Sequence, residues 1–169
     1  MVLLAACRYE GPVPAAVARL KFSGGVDCIP AFGALMCEAL DRAGQSGAID
    51  AVLGIPLHAA RLRTRGFDQG KELAAAVSDR LTIPDRSSML KRVRETSRQS
   101  ELSDPADRLA NVARAFEVCG SLNGEHLLLV DDVLTSGATV ASAAGVLLTA
   151  GAGAVTVLTA AAAGPSDPS

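Results

Sequence analysis

Aromatic side chains are scarce in this sequence: there is no Trp, one Tyr (Tyr9) and four Phe, together 3% of the chain. Proteins that grip single-stranded nucleic acid stack successive bases on aromatic platforms, and so few rings leave little to build one from. A surplus of positive charge is missing too. Lys and Arg number 16 against 18 Asp and Glu, a net charge of -2, whereas a general polyanion binder is strongly basic. Cys7, Cys28, Cys37 and Cys119 contain no C-x-x-C pair, so zinc-site spacing is absent, and four Cys do not make a disulfide scaffold. No apolar run nears the ~18 residues of a membrane span. The opening Leu4-Ala5-Ala6-Cys7 has the look of a lipoprotein cleavage site. A signal peptide needs a basic start and a longer apolar stretch, so these residues read as a first strand. The protein is then expected to be cytoplasmic, with reduced and mostly buried thiols.

What is present is ordinary for one domain with a buried core: 169 residues, 49% of them apolar. The charge, however, is uneven. Residues 61–98 hold ten basic side chains and five acids, so the segment carries +5 and the remainder -7. A local basic centre in an acidic chain points to a compact anionic ligand.

Periodicity sets out the elements. Pro12 and Pro14 open a helix carrying Val13, Val17 and Leu20, and Pro30 starts a second with Phe32, Met36 and Leu40 at helical spacing. Residues 51–55 form a short apolar strand ended by Pro56, a basic loop follows, and 67–81 read as a helix. Met89 and Leu90 begin a strand. Residues 91–104 are polar, as long functional loops are, and Ser103-Asp104-Pro105 opens a short helix to about residue 112. A strand at 115–118, a turn at Asn123-Gly124, a buried strand at 126–130, a helix at 138–150 and a last strand at 155–159 complete the chain, with a frayed tail over 161–169. Strands alternating with helices predict an α/β fold on a mostly parallel sheet. The domain is single, with 1–45 as an N-terminal part and 46–160 as its core.

One segment carries chemistry: Val130-Asp131-Asp132-Val133-Leu134-Thr135-Ser136-Gly137-Ala138-Thr139. A buried strand delivers two adjacent carboxylates at the strand end where open α/β sheets bind ligands. Hydroxyls and Gly137 then lead straight into a helix, whose free N–H groups and positive dipole end attract an anion. Acids that accept from a vicinal diol, beside a phosphate cradle, suit a sugar phosphate. Mg²⁺ suits the hard oxygen ligands. The P-loop and dinucleotide signatures are absent.

This decamer resembles the PRPP loop of type I phosphoribosyltransferases. Further matches are similar to the ComF (GntX-like) family: Leu20-Lys21-Phe22, Pro56-Leu57 with Arg61, and Arg65-Gly66-Phe67-Asp68-Gln69. Arg92 and Arg94 with Thr96 and Gln99, then Arg108, Asn111 and Phe116, continue the likeness in order. The resemblance implies a type I phosphoribosyltransferase fold with a small N-terminal hood over 1–45. It implies that Asp131 and Asp132 hold the ribose hydroxyls of PRPP, while Thr135, Ser136, Gly137, Ala138 and Thr139 hold its 5′-phosphate. Pro56, Leu57, His58, Arg61, Arg65 and Gly66 would form the pyrophosphate loop. Lys91, Arg92, Arg94, Thr96 and Gln99 would belong to a flexible loop running from 91 to 103 and closing over the reacting centre, and Lys21 would join the site from the N-terminal part.

The activity implied is transfer of phosphoribosyl from PRPP, with its Mg²⁺, to an unidentified small-molecule acceptor, releasing pyrophosphate. The alternative is a non-catalytic PRPP or nucleotide binder acting in competence. A third reading, a grip on single-stranded DNA, conflicts with the acidic balance, which argues against nucleic acid contact by this domain alone. Since type I transferases are often dimers, a homodimer is an option. The four-cysteine zinc module common ahead of the transferase domain in this family has no counterpart in the sequence. Two positions depart from the family's pattern. Asp68 stands where Asn is usual, losing amide donors and adding a charge, and Ser136 replaces a common Thr with the hydroxyl kept. No aromatic follows the last strand, and Tyr9, Phe22 and Phe32 are the candidates for a hood.

Overall fold

Four parallel strands form the central sheet of the computed structural model, which describes residues 1–22, 25–94 and 115–164. The elements run β1 (Val2–Arg8), α1 (Val13–Phe22), α2 (Ile29–Arg42), β2 (Ala51–Gly54), α3 (Ala59–Arg65), α4 (Gln69–Leu81), β3 (Leu90–Arg92), β4 (Phe116–Val118), β5 (His126–Leu134), α5 (Ala138–Thr149) and β6 (Ala154–Ala162). The sheet order is β1-β6-β5-β2, and β3 and β4 make a separate antiparallel ribbon. A parallel bridge between Val52 and Asp85 adds one more rung outside β2.

β5 is continuously apolar over residues 127–130 because both faces of the sheet are covered there. Leu128 and Val130 point to one side, into a core shared with Val17 and Leu20 of α1, Met36 and Leu40 of α2 and Leu73 and Val77 of α4. Leu127 and Leu129 point to the other, against Val140, Ala144 and Leu147 of α5 and Phe116 of β4. Alternation along a strand is strict, so the next two residues inherit opposite faces: Asp131 on the α5 side and Asp132 on the α4 side.

Residues 1–45, the expected hood, supply β1 of the sheet itself, paired with β6 from Val2↔Thr156 to Arg8↔Ala162, with α1 and α2 on its face. Leu4-Ala5-Ala6-Cys7 is therefore edge strand. Three expectations need correction. The basic loop after Pro56 is largely α3, since Ala59-Ala60-Arg61-Leu62-Arg63-Thr64-Arg65 are good helix formers, with the His58 ring accepting from the Ala60 amide at the start and Gly66 in the left-handed region at the end. The last strand runs to Ala162 rather than ending near 159, because β5 also extends to Leu134 and offers it partners. The thiols are not buried: Cys119 is exposed and the other three half-buried. The expected helix over 105–112, and Thr96, Gln99, Arg108 and Asn111, lie outside the described residues. The architecture is α/β, with a parallel sheet between helices, in the manner of type I phosphoribosyltransferases.

Candidate functional site

β2 and β5 end out of step, and that mismatch makes the site. β2 stops at Gly54, opposite Val130, while β5 continues on β6 to Leu134. Asp131 and Asp132 therefore stand beyond the end of β2, where the chain turns away at Pro56. α4 starts immediately above them. Its close approach depends on two glycines, since a Cβ at Gly70 would come within 2.4 Å of the Ile55 carbonyl oxygen and one at Gly54 within 2.5 Å of the Gly70 oxygen.

A cavity of about 320 Å³ opens at this step. Pro56, Leu57, Arg61, Arg65, Asp131, Asp132, Thr135, Thr139, Lys21 and Arg92 line it, all of them marked by the sequence. Arg61 and Arg65 are four apart on α3 and so share a face. Lys21 comes from the end of α1 and Arg92 from β3, so four cations surround two carboxylates. Tyr9, Ile55, Gln69 and Val133 complete the lining. The sequence marks Gln69 only as part of a motif and gives it no role. Its position one residue after a helix cap, where a side chain reaches past the helix end, was the signal available.

Other marked residues do not line the cavity. His58 caps α3, with Nδ1 accepting from the Ala60 amide at 3.3 Å. Gly66 ends that helix at φ 79°. Ser136, Gly137 and Ala138 form the entry to α5, where Gly137, the cap residue, takes φ 75° and brings no side chain of its own. The amides of a helix's first turn are the groups that anions exploit. Lys91 and Arg94 are exposed on and just after β3, and only residues 91–94 of the expected closing loop are described.

Asp68 proves well suited to its place. Its two oxygens accept from the Leu57 amide at 2.9 Å and the Lys71 amide at 3.4 Å, so only acceptor capacity is used and the lost amide donors do not matter. This one side chain caps α4 and fixes the turn that carries Leu57 into the cavity.

The two acids differ in surroundings. Asp132 is 6% exposed. Its Oδ1 accepts from the Val133 amide at 2.7 Å, and its Oδ2 accepts from Lys21 Nζ at 3.1 Å and Gln69 Nε2 at 3.3 Å. Asp131 accepts from the Asp132 amide at 2.8 Å and forms no ion pair among the described residues. Burial, and next the charge of Asp132, push its carboxyl up to about 8, against the opposing pull of the Asp132 amide, Lys21 and Arg92. No third His, Cys, Asp or Glu joins them among the described residues. Two adjacent carboxylates fit a Mg²⁺ that arrives on a phosphate-bearing ligand, since that ion is typically held by one or two carboxylates and substrate oxygens.

The DNA utilization protein YhgH of Salmonella typhi is 32% identical over 158 residues, covering 92% of this chain and 69% of the relative. The YhgH of Escherichia coli K12 matches with the same identity and coverage. The chain belongs to the ComF family. Competence protein F of Haemophilus influenzae is 37% identical over 93 residues, 53% of this chain and 40% of the relative. No protein-family model matches the chain. Among the described residues no helix is long and apolar enough to cross a membrane.

Proposed function

We propose that this ComF-family protein binds PRPP and transfers its phosphoribosyl group to a small-molecule acceptor, with release of pyrophosphate. The observation that carries this reading is the juxtaposition of Asp131 and Asp132 with Arg61, Arg65, Arg92 and Lys21 around one cavity. Carboxylates suit a sugar diol, and a surplus of cations suits phosphates. Thr135 and Thr139, with the amides at the start of α5, receive the 5′-phosphate. The guanidiniums of Arg61 and Arg65 take the pyrophosphate. As the bond from C1 to the pyrophosphate oxygen breaks and the acceptor bonds to C1, negative charge grows on the leaving group, where preorganised Arg residues stabilise it most. Mg²⁺ brought by PRPP would meet Asp131 and Asp132 and supply further positive charge to the pyrophosphate.

A second reading, a PRPP or nucleotide sensor in competence without turnover, is favoured by one observation. Neither His58 nor His126 lines the cavity, and His126 is engaged with Thr156 at 2.9 Å, so no imidazole is placed to take the acceptor's proton. Both readings require PRPP binding. Thermal unfolding with PRPP and Mg²⁺ tests it: a raised midpoint, larger than with pyrophosphate or ribose 5-phosphate alone, is expected, and a flat response overturns both. Pyrophosphate release on offering acceptors then separates enzyme from sensor.

A further inference from the structure

α3 carries two of the cavity's cations, yet none of its own residues is buried. Most helical stability in proteins comes from packing an apolar face, and a helix shorter than about 12 residues is marginal in water. Seven residues without a buried face are therefore held by what happens at their ends. At the far end Gly66 takes the left-handed conformation and donates its amide to the Leu62 oxygen at 2.8 Å. Just ahead of the helix, the Leu57 amide is fastened to Asp68 at 2.9 Å, which closes the segment at its base.

His58 holds the start. Its backbone is extended, φ -65° and ψ 143°, as at helix caps, and its Nδ1 accepts from the Ala60 amide at 3.3 Å. Its carbonyl oxygen accepts from the Leu62 amide at 3.0 Å, an early bond of the helix. A neutral imidazole whose Nδ1 accepts carries its proton on Nε2. Arg61 follows three residues later and Arg65 one turn beyond, both on the wall of a cavity that His58 itself does not line. Unwinding the first turn would carry Arg61 off that wall, because residues four apart align on one face only in a helix.

We propose that His58 is a positioning residue for pyrophosphate: by capping α3 through Nδ1 it keeps Arg61 and Arg65 side by side on the cavity wall, without touching the ligand. The two guanidiniums, one helical turn apart, are thereby set for the two phosphoryl groups of a diphosphate, each a planar fork that matches phosphate oxygens. This rests on the phosphoribosyl reading of the cavity. It also sets aside the more obvious task for a His in this segment, donation from Nε2 to a phosphate oxygen.

Substitutions that separate the cap from the ring test this, with affinities for pyrophosphate and for ribose 5-phosphate measured in the presence of Mg²⁺. His58→Ala removes the cap and should weaken pyrophosphate about three- to tenfold, the effect of a lost cap on a helix that must be formed to bind, and change ribose 5-phosphate less than about twofold. His58→Asn and His58→Ser restore a capping oxygen without the ring and should recover most of the affinity. Added to Arg61→Ala and Arg65→Ala together, His58→Ala should cost less than about twofold more, since the side chains it sets are gone. Asn and Ser variants as weak as Ala would overturn the proposal and make the ring a direct donor. An undiminished affinity in His58→Ala, or an equal loss of both ligands, would overturn it too. A wild-type protein that binds neither PRPP nor pyrophosphate removes the phosphoribosyl reading as well, whereas wild-type binding that His58→Ala leaves intact removes only the role of the cap. Should His58→Ala not fold, a structure of the parent with pyrophosphate bound decides. The imidazole still on the Ala60 amide is expected; a ring turned onto a phosphate oxygen overturns it.

Discussion

The amide of Leu57 donates to the carboxylate of Asp68 at 2.9 Å, tying the turn after β2 to the first turn of α4. The same side chain takes the Lys71 amide, so two backbone donors share one carboxylate. Asn offers a single side-chain oxygen and can keep only one of them. Asp68→Asn is expected to lower stability by about 1 kcal/mol and Asp68→Ala by about 2 kcal/mol, from one lost hydrogen bond and from a lost cap plus bond respectively. Urea unfolding checks the order. An Asn variant as stable as the parent would show that the Leu57 contact contributes nothing.

Two glycines near this turn should respond very differently to an added methyl. At Gly70 a Cβ meets the Ile55 oxygen at 2.4 Å, and that neighbour is backbone, which leaves little to give. At Gly66 there is nothing within 4 Å, but φ is 79°. Gly66→Ala is expected to cost about 1 kcal/mol, the left-handed penalty of an L-residue. Gly70→Ala should cost about 3 kcal/mol, the upper range for overpacking, and should weaken PRPP binding by displacing Gln69. Equal losses at the two positions would mean that α4 is not pressed against β2.

The short helix α3 separates its arginines by face. Arg61 and Arg65 line the cavity, while Arg63, two residues from each, is exposed and takes no part in it. Arg61→Ala should weaken PRPP binding at least tenfold, as loss of a charged hydrogen bond does, and Arg63→Ala should change it less than about twofold, in line with screened surface charge. Titration of the two variants at one ionic strength compares them directly. Similar losses would make the effect a general field rather than contact.

The sequence made these features legible to different depths. The acids, the hydroxyl loop and the strand that delivers them were readable because contiguous residues make the motif. Arg61, Arg65 and Lys21, singled out by the sequence, do line one cavity with the acids. The helix at 59–65 was not readable, because its Arg-rich composition masks a helical run only seven residues long. The role of Gln69 depends on the closeness of Gly54 and Gly70, a contact between segments that no local pattern encodes. The inequality of Asp131 and Asp132 follows from strand alternation combined with which helices cover which face. That is a property of topology, not of the adjacent pair.

Protonation gives that inequality a measurable sign in the free protein. Asp131 is raised from an ordinary value near 3.8 to about 8, first by burial and then by Asp132. Between these limits the folded protein holds a proton that the unfolded chain has lost, so this contribution to stability is full below about pH 4 and is lost as pH rises through about 8. Asp131→Asn cannot ionise and lacks this slope. Unfolding midpoints from pH 6 to 9, without ligand, should fall more steeply for the parent than for Asp131→Asn, which should be the more stable at pH 9. Parallel profiles would show that Asp131 ionises freely when folded.

Tyr9 supplies a reporter that the composition makes unusually clean. The chain has one Tyr and no Trp, so all its ultraviolet emission at the tyrosine wavelength comes from a single ring. That ring sits at the end of β1, where the Tyr9 amide donates to the Ala162 oxygen at 2.8 Å, and it lines the cavity while 38% exposed. A ligand filling the cavity changes the ring's solvent contact. Titration with PRPP and Mg²⁺ should therefore alter the emission saturably, at the same midpoint as the thermal response, and Tyr9→Phe should abolish the optical signal while binding stays within a few-fold. A planar acceptor laid against the ring, the geometry aromatic pairs favour, should quench it further once PRPP is bound. Emission indifferent to PRPP, in a protein that PRPP stabilises, would place Tyr9 outside the occupied volume and leave the acceptor side of the cavity without an aromatic wall among the described residues.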